Sequence, residues 1–220
     1  VEVLAFLSGH TNEYGGALVA GGFDYDVTLA NGNVAAGQSL DVIATGLGAD
    51  ESLRFDGRAE SDGTFRILSG AGDDTLFGGA GADTLSGGLG KDRLEGGAGA
   101  DTYVFRSAAE STSTGYDALV GFDWQVDRID APGSAMRGFG QSASGSLSSA
   151  SFDSDLAAGL NGHLDAGQAA LFTANGGTLS GHIFAVIDVN GTAGYQAGQD
   201  LVIELIAPVL PIDPAAAVIV

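Results

Sequence analysis

Four aspartates, Asp74, Asp83, Asp92 and Asp101, stand nine residues apart, and the same residue types return around each. Residues 69–104 divide into "SGAGDDTLF", "GGAGADTLS", "GGLGKDRLE" and "GGAGADTYV", a unit of the form G-G-x-G-x-D-x-U-x in which U is Leu76, Leu85, Leu94 or Tyr103. A carboxylate among glycines is a set of oxygen donors. The side chain brings charge, and glycine supplies positive-φ conformations that turn backbone carbonyls inward at little steric cost. Hard oxygen ligands in a flexible cage suit Ca2+, whereas Mg2+ demands a tighter octahedron and retains water. The chemistry implied is the binding of calcium, as several ions.

The elements that position these oxygens follow from the same unit. Its first six places are too glycine-rich for regular strand, but its last three are not. Threonine at the seventh place of three units and a large residue at the eighth suit a short strand with one inward side chain. Turn plus strand, repeated, stacks as a coil at about 4.8 Å per layer, with the eighth-place residues forming an apolar ladder. The turns then stack too, and superposed carboxylates repel unless a cation lies between layers.

Composition sets the outer limits. The chain of 220 residues has 37 glycines and no cysteine, so it is expected to be turn-rich and β-structured without a disulfide framework or thiolate metal site. Twenty-eight acidic against eight basic residues give a formal charge of −20, which argues against nucleic acid and anionic lipid as partners. No apolar run reaches the roughly 18 residues that span a bilayer, so membrane insertion is not expected. The first residue is not methionine, which suggests the C-terminal piece of a longer protein.

Around the repeat the chain divides further. Residues 1–24 read as a linker or edge segment. Residues 25–68 form a β-rich segment, with strands at "YDVTL", "SLDVIA", "SLRFDG" and "TFRILSG" and hairpin-type dipeptides at Asn31-Gly32 and Asp62-Gly63. In residues 105–207, "YDALVGFDWQVDRIDA" holds two short strands, and "QAALFTA", "GHIFAVIDV" and "DLVIELI" hold three more. Phe152, Leu156 and Leu160 recur at helical spacing, with Ser151 as N-cap and Gly162 beyond the end, predicting one short helix. The proline-rich tail, 208–220, should be extended.

The nonapeptide resembles the RTX, or hemolysin-type calcium-binding, repeat. That resemblance implies an all-β protein: a right-handed parallel β-roll over residues 69–104 with two units per coil, flanked by antiparallel β segments. Each ion would then lie between units i and i+2, so Asp74 should share an ion with Asp92, and Asp83 with Asp101. Carbonyls of Gly70, Gly72, Gly79, Gly81, Gly88, Gly90, Gly97 and Gly99 would complete the shells, and the outermost turns would leave half-sites needing flanking partners. Ser69 replaces a first-place glycine, and Lys91 and Arg93 flank Asp92, so weaker binding is expected in the third unit. Residues 105–207 are similar to the region capping the roll in serralysin-type proteases and other RTX proteins. The resemblance also implies a secreted bacterial protein that leaves by type I secretion, with a signal at the extreme C-terminus, and folds on external Ca2+.

Weaker signals complete the sequence. "DVNGTAGYQAGQD" begins like an EF-hand loop and then fails at the twelfth place, leaving Asp188, Asn190 and Asp200 as a secondary calcium candidate beside the plainer reading of a turn. Asp123 could complete a terminal half-site. Neither H-E-x-x-H nor G-x-S-x-G occurs, so the 220 residues are expected to be non-catalytic. Rival readings are a calcium-rigidified adhesin or surface-layer module that binds polysaccharide or self-assembles, and the non-catalytic C-terminal half of a secreted protease or lipase.

Overall fold

The computed structural model describes residues 2–9, 23–133, 139–140, 142–209 and 218–219. The chain forms two compact units, Val1–Val104 and Phe105–Val220.

In the first unit, strands alternate between two sheets. One holds β1 (Glu2–Ala5), β3 (Ser39–Ile43), β5 (Thr64–Leu68), β7 (Thr84–Ser86) and β9 (Thr102–Val104), in that order. The other holds β2 (Tyr25–Thr28), β4 (Leu53–Asp56), β6 (Thr75–Phe77) and β8 (Arg93–Glu95). Every pairing is parallel. Within the nonapeptides the register is eighteen residues, setting Leu76 beside Leu94 and Leu85 beside Tyr103. This is a parallel β-roll. Leu76, Leu85, Leu94 and Tyr103 are all fully buried, the apolar ladder that the eighth place predicts. Tyr103 differs from the leucines in carrying a hydroxyl, and that oxygen accepts the Gly96 N–H at 2.9 Å.

The N-terminal strands depart from expectation. Asn31-Gly32 and Asp62-Gly63 do not close hairpins, and residues 25–68 are not antiparallel: β2 pairs with β4 and β3 with β5, both parallel. The dipeptides sit at corners where the chain passes from one sheet to the other. Hydrogen bonds tie those corners across layers, with Ser61 donating from both its amide and its hydroxyl to Asn31 Oδ1. Coils here are longer, with partners 28 residues apart between β2 and β4, 25 between β3 and β5, and 21 between β4 and β6. The width has a reason: β4 and β5 each send two side chains inward, Leu53 with Phe55 and Phe65 with Ile67, where a nonapeptide strand sends one. Phe55 and Phe65 meet edge to face at 5.3 Å.

The second unit is built on a sheet ordered β12 (Ala143–Ser146), β13 (Ala169–Gly176), β14 (Ile183–Ile187), β15 (Leu201–Ile206), β10 (Asp117–Val120). The β13–β14–β15 meander is antiparallel, as expected for a flank, while β12 and β10 join in parallel. A further parallel pairing joins β11 (Arg128–Asp130) to β16 (Val218–Ile219). Helix α1 spans Phe152–Leu160 and buries Phe152, Leu156 and Leu160 in a core with Tyr116, Phe172 and Phe184. Ser151 stands at its N-cap without accepting an amide. Its hydroxyl donates instead to Asp155, one turn in, whose carboxylate also takes the Ser148 amide.

Candidate metal centre in the stacked turns

The turns between strands form two columns. In the first, residues 44–51 lie over 69–74, and those over 87–92; in the second, 57–63 lie over 78–83, and those over 96–101. Carboxylates tie the layers together. Asp92 Oδ1 accepts the Asp74 N–H at 2.8 Å and Asp101 Oδ1 accepts the Asp83 N–H at 2.9 Å, both across eighteen residues. Asp74 and Asp83 reach one layer further toward the N-terminus, to the amides of Leu53 at 2.6 Å and Phe65 at 2.7 Å. The structure thus brings the sequence-predicted aspartates together in the pairs 74 with 92 and 83 with 101.

Glycine is required here by space more than by φ. A methyl group on Gly88 would lie 2.0 Å from the Gly70 carbonyl oxygen, and one on Gly97 would lie 2.1 Å from that of Gly79. Gly88, Gly90, Gly97 and Gly99 do have positive φ, but Gly70, Gly72, Gly79 and Gly81 lie outside the left-handed region. Close approach of the next layer is what those four positions share with the rest, since Gly72 has the Glu51 carbonyl and Gly81 the Gly63 carbonyl against it. First-place glycines answer to the carboxylates: a methyl on Gly87 or Gly96 would fall 2.0 or 2.1 Å from Oδ2 of Asp92 or Asp101.

All four aspartates are at most 2 % exposed. Burial pushes Asp83 up to about 6, against the amides of Gly79 and Phe65, and burial likewise raises Asp74. Ser69 and the amides of Leu53 and Gly70 favour ionised Asp74, yet Asp74 Oδ2 and Ser69 Oγ are both enclosed and complete no hydrogen bond of normal geometry. A buried carboxylate oxygen that completes no hydrogen bond of normal geometry suits a cation. The donors available fit Ca2+. Among the described residues no three His, Asp or Glu side chains converge on a metal, so backbone oxygen must supply much of any shell.

A family model for the RTX calcium-binding nonapeptide repeat matches residues 68–103 in four copies. The turns within residues 68–103 are RTX repeats. No curated protein matches the chain. The RTX match supports calcium binding by residues 68–103, and it begins one residue before the unit boundary read from the aspartate spacing.

Two residues of these columns escaped the sequence reading. Glu51 and Glu60 are each 1 % exposed and end their columns on the N-terminal side. Burial would raise Glu51, but the amides of Gly48, Gly9 and Phe23 and the Ser8 hydroxyl outweigh it and hold the group at about 2. Glu60 is held at about 2 in the same way, with burial outweighed by the amides of Asp62, Val34, Gly63 and Ser61. The signal for Glu51 was available: it precedes Leu53 by two residues, as each repeat aspartate precedes its eighth-place residue.

The secondary candidates lie in the second unit. Asp188 and Asp200 are buried side by side, and Asn190 Nδ2 donates to Asp200 Oδ1 at 3.0 Å. Burial, helped by the Asp188 carboxylate, pushes Asp200 up to about 7. Their oxygens are engaged by protein, Asp188 by the amides of Asn190 and Gly191 in the loop and of Gly167 outside it, and Asp200 by that of Gln196. Asp123 closes a local turn, its Oδ1 accepting the Gln125 amide while its own amide donates to Asp127.

Proposed function

We propose that this chain is the calcium-responsive module of a secreted bacterial protein, folding when it meets external Ca2+ and supporting type I secretion. The observation that carries the proposal is the stacking of four buried carboxylates in two columns, where those of Asp74 and Asp83 are offset by amides and a hydroxyl rather than by basic side chains. Ionised carboxylates so placed oppose folding at neutral pH, and a divalent ion shared between layers removes that opposition. Asp74 with Asp92 and Asp83 with Asp101, together with glycine carbonyls of their turns, would hold the ions. The chain's own contribution is a pair of ladders that, once folded, bring the oxygens to one place and exclude water from them. The module itself is non-catalytic.

Titration calorimetry on the metal-stripped chain tests the metal. Ca2+ should bind with release of heat coupled to folding, and Mg2+ at the same concentration should leave the signal flat; equal responses would refute the oxygen-cage reading. Export tests the second half. Removing residues 208–220 should abolish passage through a type I exporter while leaving calcium binding intact, and undiminished export would remove secretion from the proposal.

A further inference from the structure

The second unit carries a cleft that none of the calcium chemistry uses. It has a volume of about 350 Å3 and lies where helix α1 begins, lined by the 3-10 turns Ser113–Gly115 and Ser149–Ser151. That volume falls at the lower end of the roughly 300–1,000 Å3 of small-ligand sites. Six of its lining residues are polar: Ser113, Thr114, Ser149, Ser151, Asp153 and Ser154. Asp153 is the only carboxylate among them, and it is fixed from two sides. Ser113 Oγ donates to Oδ2 and the Tyr195 hydroxyl to Oδ1, both at 2.7 Å. Ser113 holds its place against a steric cost: its φ is +52, a left-handed conformation that Ala207 alone shares among the described residues other than glycine. Thr112 before it is pinned in turn, its hydroxyl donating to the Asp200 carbonyl at 2.9 Å and accepting the Gly198 amide at 3.1 Å.

The hydrogen bonds already made leave the cleft rich in acceptors. Ser113, Ser151 and Ser154 spend their hydroxyl protons on Asp153, on Asp155 and on the Ser151 carbonyl, so each oxygen can still accept. Each oxygen of Asp153 accepts one bond from a side chain and has capacity for another. Among the described residues no ion pair includes Asp153. We propose that this cleft is a carbohydrate site, in which two neighbouring sugar hydroxyls donate to the two oxygens of Asp153 and others donate to the serine oxygens beside it. A simple cation would satisfy Asp153 but leave the serine oxygens and most of the volume unused. A sugar ring brings several donors at once, and its own oxygens can accept from Thr114. The left-handed turn at Ser113 then has a use, because it sets the carboxylate before the ligand arrives and lowers the ordering cost of binding. The site lies wholly in the second unit and rests on none of the calcium ligands.

Two-dimensional NMR of the whole chain in saturating Ca2+ tests it, with the methyl glycosides of glucose, galactose and mannose as probes at millimolar concentration and ethylammonium as the cation control. At least one glycoside should move the amide signals of Thr114, Asp153 and Ser154 in a saturable way, and ethylammonium should not. Asp153→Asn should weaken that binding about tenfold or more, since it removes the charged acceptor. Ala150→Arg puts a long side chain at an exposed lining position that makes none of these bonds, so it should abolish binding even if Asn at 153 unsettles Tyr195. Both variants should fold at the same calcium concentration as the parent chain. Glycosides that leave the three amides unmoved would overturn the proposal. Ethylammonium moving them where the glycosides do not would make the cleft a cation site and overturn it too, as would sugar binding that survives Ala150→Arg.

Discussion

Gly97→Ala separates the two demands the turns make on glycine. Gly97 has φ +104 and would place a methyl carbon 2.1 Å from the Gly79 carbonyl oxygen, well inside van der Waals contact. Gly37, in the same unit, has φ +69 with nothing within 4 Å of that position. At Gly37 alanine meets only the left-handed penalty, about 1–2 kcal/mol. At Gly97, whose φ lies further from the left-handed well, a penalty at least as large applies, and the layers must also part by about 1 Å at a point where backbone meets backbone, adding about 1–3 kcal/mol of overpacking strain. Urea unfolding in saturating Ca2+ should therefore show Gly97→Ala losing about 2–5 kcal/mol against about 1–2 for Gly37→Ala. Because the parting occurs between the turns of Asp83 and Asp101, Gly97→Ala should also raise the calcium concentration needed for folding, and Gly37→Ala should not. Equal losses for both variants would refute the idea that interlayer contact, and not φ, dictates glycine here.

The metal-free chain should gain β structure on acidification. Asp83 is raised to about 6 from 3.8, so the folded state holds its proton more tightly than the unfolded chain; the penalty is absent below 3.8, grows as pH rises to 6, and reaches about 3 kcal/mol above it. Glu51 and Glu60, held at about 2, contribute stability above 4.5 that is lost only as pH falls toward 2, so far-UV circular dichroism without metal should be most native near pH 4.5. A metal-free chain no more folded at pH 4.5 than at 7.5 would contradict this, and saturating Ca2+ at pH 7.5 should erase the difference. Asp83→Ala with Asp101→Ala should cost no more than one ion's binding free energy by calorimetry, since the pair shares a site; strictly additive losses would refute the eighteen-residue pairing. Glu60→Gln should lower the unfolding midpoint in Ca2+ without changing the ion count, and a lost ion would make Glu60 a ligand and not an amide cap.

The roll was legible because its unit repeats in phase. Asp83 and Leu85 report the same turn and strand as Asp101 and Tyr103, so the period fixes register, core and pairing together. The preceding coils were not legible as roll, because their lengths of 28, 25 and 21 residues share no period and their corners carry the dipeptides of hairpins. Strand positions survived this, since alternation in "SLDVI" and "TFRIL" is local, but pairing partners are not. Glu51 hid for a similar reason: one extra residue separates Gly48 from it compared with Gly72 and Asp74, enough to break the motif while keeping the fold. Helix α1 was readable from Phe152, Leu156 and Leu160, whereas its N-cap chemistry was not, because Asp155 competes for the Ser151 hydroxyl.

Coupling between calcium and folding is most directly tested by far-UV circular dichroism with differential scanning calorimetry at pH 7.5, first in EGTA and then in millimolar Ca2+. In EGTA the first unit should give a weak β signal without a cooperative transition, and Ca2+ should restore both features. A β signal and a cooperative transition equal in the two conditions would contradict that coupling.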